Sequence, residues 1–91
     1  MERTVTVVPE AGLHARPASK FVQTANSFES EVSVGRPGDD AVSANSMLAV
    51  TGLNVGHGES VRIVADGADA AEVLDALEAL LTSPVGGGDD E

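Results

Sequence analysis

The chain has 91 residues, with 15 acidic against five basic side chains, a formal net charge of -10, and no cysteine, tryptophan or tyrosine. This composition excludes disulfides and thiolate chemistry, disfavours nucleic acid, which needs a cationic surface, and removes the aromatic platforms used to stack bases. A chain of this length forms one domain around one modest core and has no room to enclose a large cofactor.

The first predicted element is a strand over Thr4-Val5-Thr6-Val7-Val8, whose β-branched residues alternate. Val5 and Val7 are expected to face the core, with Thr4 and Thr6 toward water. Pro9-Glu10-Ala11-Gly12 ends the strand in a turn. A helical period then runs over 16–28. Its stripe is Ala18, Phe21, Val22, Ala25 and Phe28.

Glu31-Val32-Ser33-Val34-Gly35 alternates again, with Val32 and Val34 inward. Arg36-Pro37-Gly38-Asp39-Asp40 reads as a turn and Ala41-Val42-Ser43-Ala44 as a short returning strand. Asn45 or Ser46 can cap a short helix over about 47–52. Met47, Leu48, Val50 and Leu53 are too many apolar side chains for one face of so short an element. An exposed Met and Leu suit a docking surface, and a fully buried connector is the alternative.

Gly56-His57-Gly58-Glu59 is a turn that makes His57 a surface-loop residue, and Ser60 to Ala65 is a fourth strand with Val61, Ile63 and Ala65 inward. Asp69 then caps the last helix in a box-like start with Glu72. That helix presents Ala70, Val73, Leu74, Leu77, Leu80 and Leu81 on one face and is stopped by Pro84. Residues 1–84 are expected to form the domain, and 85–91 a disordered acidic tail. The order strand, helix, strand, strand, short helix, strand, helix predicts a two-layer α+β domain with its helices on one sheet face.

The chemistry concentrates in Gly12-Leu13-His14-Ala15-Arg16-Pro17-Ala18. His14 sits where a strand passes into a helix, and Pro17 fits a helix's first turn. Backbone N–H groups at such a start, around Ala15, Pro17 and Ala18, favour a phosphate. Arg16 adds a fork of charge-assisted donors. The pattern points to a histidine that carries, or sits beside, a phosphoryl group, the plainer reading being a loop residue.

Competing sites are weak. Gly35-Arg36-Pro37-Gly38 lacks the lysine and Ser/Thr of a nucleotide loop. Gly52, Gly56 and Gly58 precede a strand instead of opening a helix. With two histidines and no ligand-spaced carboxylates, no metal or other cofactor is expected. No apolar stretch approaches the roughly 18–20 residues needed to span a bilayer, and the start shows no secretory pattern, so a cytoplasmic protein without membrane insertion is expected. Lys20 is the single lysine. An acidic, lysine-poor surface suggests a halophilic protein, with an ordinary acidic cytoplasmic one as the alternative.

The His14 motif closely resembles the active-site signature of HPr, the histidine phosphocarrier family of the bacterial-type sugar phosphotransferase system. The resemblance runs from about Thr4 to Thr82 and includes Asn45-Ser46-Met47-Leu48. It implies an open-faced β-sandwich, four antiparallel strands under three helices. It also implies a monomeric carrier, not a stand-alone enzyme. His14 would accept phosphate through Nδ1 from phosphorylated enzyme I, itself charged by phosphoenolpyruvate, and pass it to a IIA component for sugar uptake. Arg16 would assist transfer. Met47, Leu48 and Leu53 would dock the partners.

Ser46 aligns with a serine that a dedicated kinase modifies in some members and that simply caps the helix in others. Ala11 stands where many members have asparagine, Ala49 where many have a basic residue, and Asn54 where glycine is common. Asn54 is tolerable there if the backbone is left-handed. Two other functions share these residues: a carrier in a dihydroxyacetone kinase or nitrogen-linked relay, and a non-catalytic regulator of the same fold. Intact His14 and Arg16 count against the regulator.

Overall fold

The computed structural model describes residues 1–83. Pro84 and the segment 85–91, assigned above to a helix stop and a disordered tail, lie outside the described residues. Seven elements follow in order: β1 (Glu2–Thr6), α1 (Ala15–Asn26), β2 (Glu31–Gly35), β3 (Val42–Ser43), α2 (Met47–Gly52), β4 (Ser60–Asp66) and α3 (Ala70–Leu81). The strands form one antiparallel sheet in the order β1-β4-β2-β3. The three helices pack on one face of it, giving the expected open-faced α+β sandwich.

Alternation sets the two faces. Val5, Val32, Val34, Val61, Ile63 and Ala65 are buried beneath the helices, while Thr4 and Thr6 are exposed on the open face. α1 supplies Ala18, Phe21 and Ala25, and α3 supplies Val73, Leu74, Leu77 and Leu81. Phe21 is the largest fully buried side chain, and a side chain of this kind stabilises by about 1.5–3 kcal/mol on burial. Val22, Phe28, Val42 and Leu53 are partly buried against the same core.

Several boundaries differ from the expected ones. β1 begins at Glu2, because its register with β4 runs from Glu2↔Val64 to Thr6↔Ser60. Val7 and Val8 leave the ladder but stay tied by amide bonds to the carbonyls of Glu59 and Leu81, each 2.8 Å. α1 starts one residue early and ends at Asn26, so Phe28 packs from the loop beyond it. β3 shrinks to two paired residues, with Ala44 adding one bond to the Val32 carbonyl at 2.9 Å.

The largest correction concerns Asp69. It stands at the start of α3, yet its side chain makes no capping bond to that helix. Its carboxylate instead accepts from the amides of Glu29 (2.9 Å) and Ser30 (2.8 Å) and from the Ser30 hydroxyl. These donors, the Ser30 hydroxyl foremost, hold the Asp69 carboxyl below its usual range. The residue thus fastens the α1–β2 loop to α3. No described helix is long and apolar enough to cross a membrane.

Candidate functional site

The site grows from the turn after β1. The Gly12 amide closes this turn on the Pro9 carbonyl at 2.8 Å, and Gly12 takes φ 73. A side chain there would strike backbone, since a Cβ would lie 2.5 Å from the Val55 carbonyl oxygen and 2.8 Å from the Gly56 Cα. Leu13 is fully buried and its amide donates to that same Val55 carbonyl at 2.9 Å. The residue before His14 is therefore anchored twice, by apolar burial and by a long-range hydrogen bond.

His14 follows in extended backbone (φ -136, ψ 165) at the N-cap of α1, half-buried. Among the described residues no group bonds its imidazole. Ala15 takes φ 52, a left-handed conformation that costs a non-glycine residue about 1–2 kcal/mol. Burial of Leu13 on one side and of Pro17 and Ala18 on the other holds the chain in it. The kink swings the chain from the extended His14 into the helix.

The helix start offers fewer donors than its residue count suggests. Pro17 has no N–H, and the Ala18 amide is turned to the His14 carbonyl at 3.4 Å. Among the described residues, the amides of Ala15 and Arg16 donate to no carbonyl, so these two are open to an anion. Arg16 is exposed, with no ion pair or hydrogen bond among the described residues. It lines a shallow surface hollow along α1 with Ala15, Ser19, Lys20 and Gln23.

Behind this turn lies the loop Gly56-His57-Gly58-Glu59, expected from sequence as a turn with His57 on the surface. The Gly58 amide donates to the Val7 carbonyl at 2.7 Å. His57 is exposed as expected, but its Nδ1 bonds the Val8 carbonyl at 2.6 Å. A carbonyl only accepts, so Nδ1 carries the hydrogen. Glu59 accepts the Gly56 amide at 2.7 Å and faces the Arg36 guanidinium at 3.3 Å. The Gly56 N–H first, and then Arg36, hold its carboxyl below the usual range. No local pattern marks the His57, Gly58 and Arg36–Glu59 contacts, because those partners lie far apart in the chain.

α2 carries the apolar candidates. Ser46, not Asn45, is its cap and accepts the Ala49 amide at 3.1 Å. Asn45 instead accepts from the Ser43 hydroxyl at 2.7 Å. Leu48 is 83% exposed and Met47 39%, while Val50 is buried and Leu53 is half-buried against the core. The exposed alternative therefore holds for the first two residues and the buried one for Val50. Asn54 adopts φ 57, the left-handed backbone on which its tolerance in place of glycine depends. Among the described residues no group of three or more His, Asp or Glu is placed to hold a metal ion.

A family model described as the PTS HPr component phosphorylation site matches residues 1–83. The chain is 69% identical to the phosphocarrier protein HPr of Haloferax volcanii over 85 residues, covering 92% of this chain and 96% of that one. The solved structure of HPr-C-His from Thermoanaerobacter tengcongensis superposes with a TM-score of 0.88 at 36% identity, over 100% of this chain and 99% of the other. An HPr structure from Bacillus anthracis gives 0.81 at 38% identity, over 87% and 93%.

Proposed function

The chain belongs to the HPr family of phosphocarrier proteins of the phosphotransferase system, and on that premise we propose that it carries its phosphoryl group on His14. The group arrives from phosphorylated enzyme I, charged by phosphoenolpyruvate, and leaves to a IIA component. An imidazole lone pair, on Nδ1 as in the family, attacks phosphorus. The N–P bond forms as the donor's bond to phosphorus breaks.

The observation that carries the reading is an unbonded His14 ring at a helix start whose Ala15 and Arg16 amides are open. Those amides and the Arg16 guanidinium stabilise phosphate oxygens. Exposed Met47 and Leu48, flanked by Leu53, form the apolar surface on which partners dock. Ser46 serves α2 as its cap, and an acid-stable phosphate mapped to it after incubation with cell extract and ATP would add a regulatory role. The protein works as a cytoplasmic monomer, a state that sedimentation equilibrium tests directly.

The decisive experiment is phosphorylation of the purified protein with phosphoenolpyruvate and enzyme I of the same organism. An acid-labile phosphate on His14 is expected, absent in His14→Ala. Arg16→Ala keeps the fold and slows transfer. An acid-stable product, or label persisting in His14→Ala, overturns the proposal.

A further inference from the structure

We propose that Arg36 is a positioning residue for phosphoryl transfer, holding the docking helix α2 and the loop behind His14 as one unit. The inference rests on the phosphocarrier reading of His14 and adds a residue that takes no part in the chemistry. α2 is weakly fastened by packing alone. It has six residues, of which only Val50 is buried, and its most exposed side chain, Leu48, points away from the core. Its chain leaves through Asn54 in a left-handed turn.

Arg36, in the turn after β2, closes that end. Its Nε donates to the Leu53 carbonyl at 3.2 Å and its Nη2 to the Asn54 carbonyl at 2.6 Å. A helix C-terminus leaves carbonyls without partners, and a cation there satisfies them and opposes the negative end of the helix. The other side of the guanidinium faces Glu59, with Nη1 and Nη2 at 3.4 and 3.3 Å from its two oxygens. Glu59 in turn accepts the Gly56 amide at 2.7 Å. Gly56 lies against Gly12, and neighbouring Val55 accepts the Leu13 amide.

The path from the partner-facing helix to the residue before His14 is thus Arg36, Glu59, Gly56 and Val55. A planar fork serves this arrangement fully and a point charge only in part, because two carbonyls and a carboxylate are reached together. The ion pair at its centre is exposed and is screened by salt. The two short-range bonds to carbonyls persist, so the clamp operates at high ionic strength. A partner seated on Met47 and Leu48 then finds His14 at a fixed offset, which lowers the ordering cost of docking.

The test compares wild type, Arg36→Ala and Arg36→Lys, well below their unfolding midpoints, as acceptors from phosphorylated enzyme I. Arg36→Ala should raise KM about tenfold, a typical coupling between linked sites, with kcat within about twofold. Arg36→Lys should recover part of that loss. Amide exchange at Leu13, which Arg36 does not touch, should quicken in Arg36→Ala. A merely stabilising residue would lower the unfolding midpoint and leave KM unchanged, and that result overturns the proposal. Unchanged exchange at Leu13 overturns it as well, and this readout stands even if wild type takes no phosphate on His14. Should Arg36→Ala fail to fold, Arg36→Lys and Glu59→Gln carry the same comparison.

Discussion

Gly12→Ala tests whether the His14 turn is held by backbone contact with the 55–59 loop. Two costs add at this position. Gly12 has φ 73, and a left-handed alanine is disfavoured by about 1–2 kcal/mol. Its Cβ would also sit 2.5 Å from the Val55 oxygen, so the loops must part by about 0.9 Å to regain ordinary contact at 3.4 Å. That movement breaks the 2.9 Å bond from Leu13 to the same oxygen, a further loss of about 0.5–1.5 kcal/mol. The sum is about 1.5–3.5 kcal/mol.

Gly38 is the matched control. It has φ 89, yet an added Cβ meets nothing within 4 Å. Gly38→Ala therefore carries the dihedral cost alone, about 1–2 kcal/mol. Any gain from a stiffer unfolded chain is common to both variants. Urea and thermal unfolding by circular dichroism in concentrated KCl would measure the difference. In a domain of this size each 1 kcal/mol moves the midpoint by roughly 4–8 °C. Equal destabilisation by the two alanines would refute the reasoning, since only Gly12 touches backbone.

Ser46→Ala should cost about 1 kcal/mol, the usual value of a lost N-cap, and should speed amide exchange at Ala49. Glu59 and Asp69 both have carboxyls held below their usual range. A carboxyl depressed in the folded state contributes stability above its unfolded pKa, near 4, and loses it as pH falls through the folded value. Unfolding midpoints should therefore drop as pH is lowered below about 4, and Asp69→Asn should flatten that fall. With a net charge of -10, the protein should gain stability from about 0.1 M to about 2 M KCl as screening weakens self-repulsion. A flat midpoint across that range would remove the high-salt reading.

The element order, the faces of each strand and the core stripe of both long helices were legible in the residues themselves. Their cause is local: alternation puts Val5 and Val34 inward, and a spacing of three or four puts Phe21 with Ala25 and Leu74 with Leu77. The setting of His14 was equally local, since the histidine, Arg16 and Pro17 lie within four residues at a strand-to-helix junction. Nothing local reveals a partner chosen by the fold. β1 lies beside β4, which is distant in the chain, and that register moved its start to Glu2. Asp69 has the sequence of a helix cap, but the α1–β2 loop arrives with two amides and a hydroxyl and takes its carboxylate. Arg36 looked like a turn residue and His57 like a bare loop side chain. The tertiary structure made the first a clamp on α2 and Glu59 and the second a donor to Val8. Composition and periodicity determine which face of an element seeks the core. Packing alone decides which distant carbonyl or carboxylate ends up within hydrogen-bond reach.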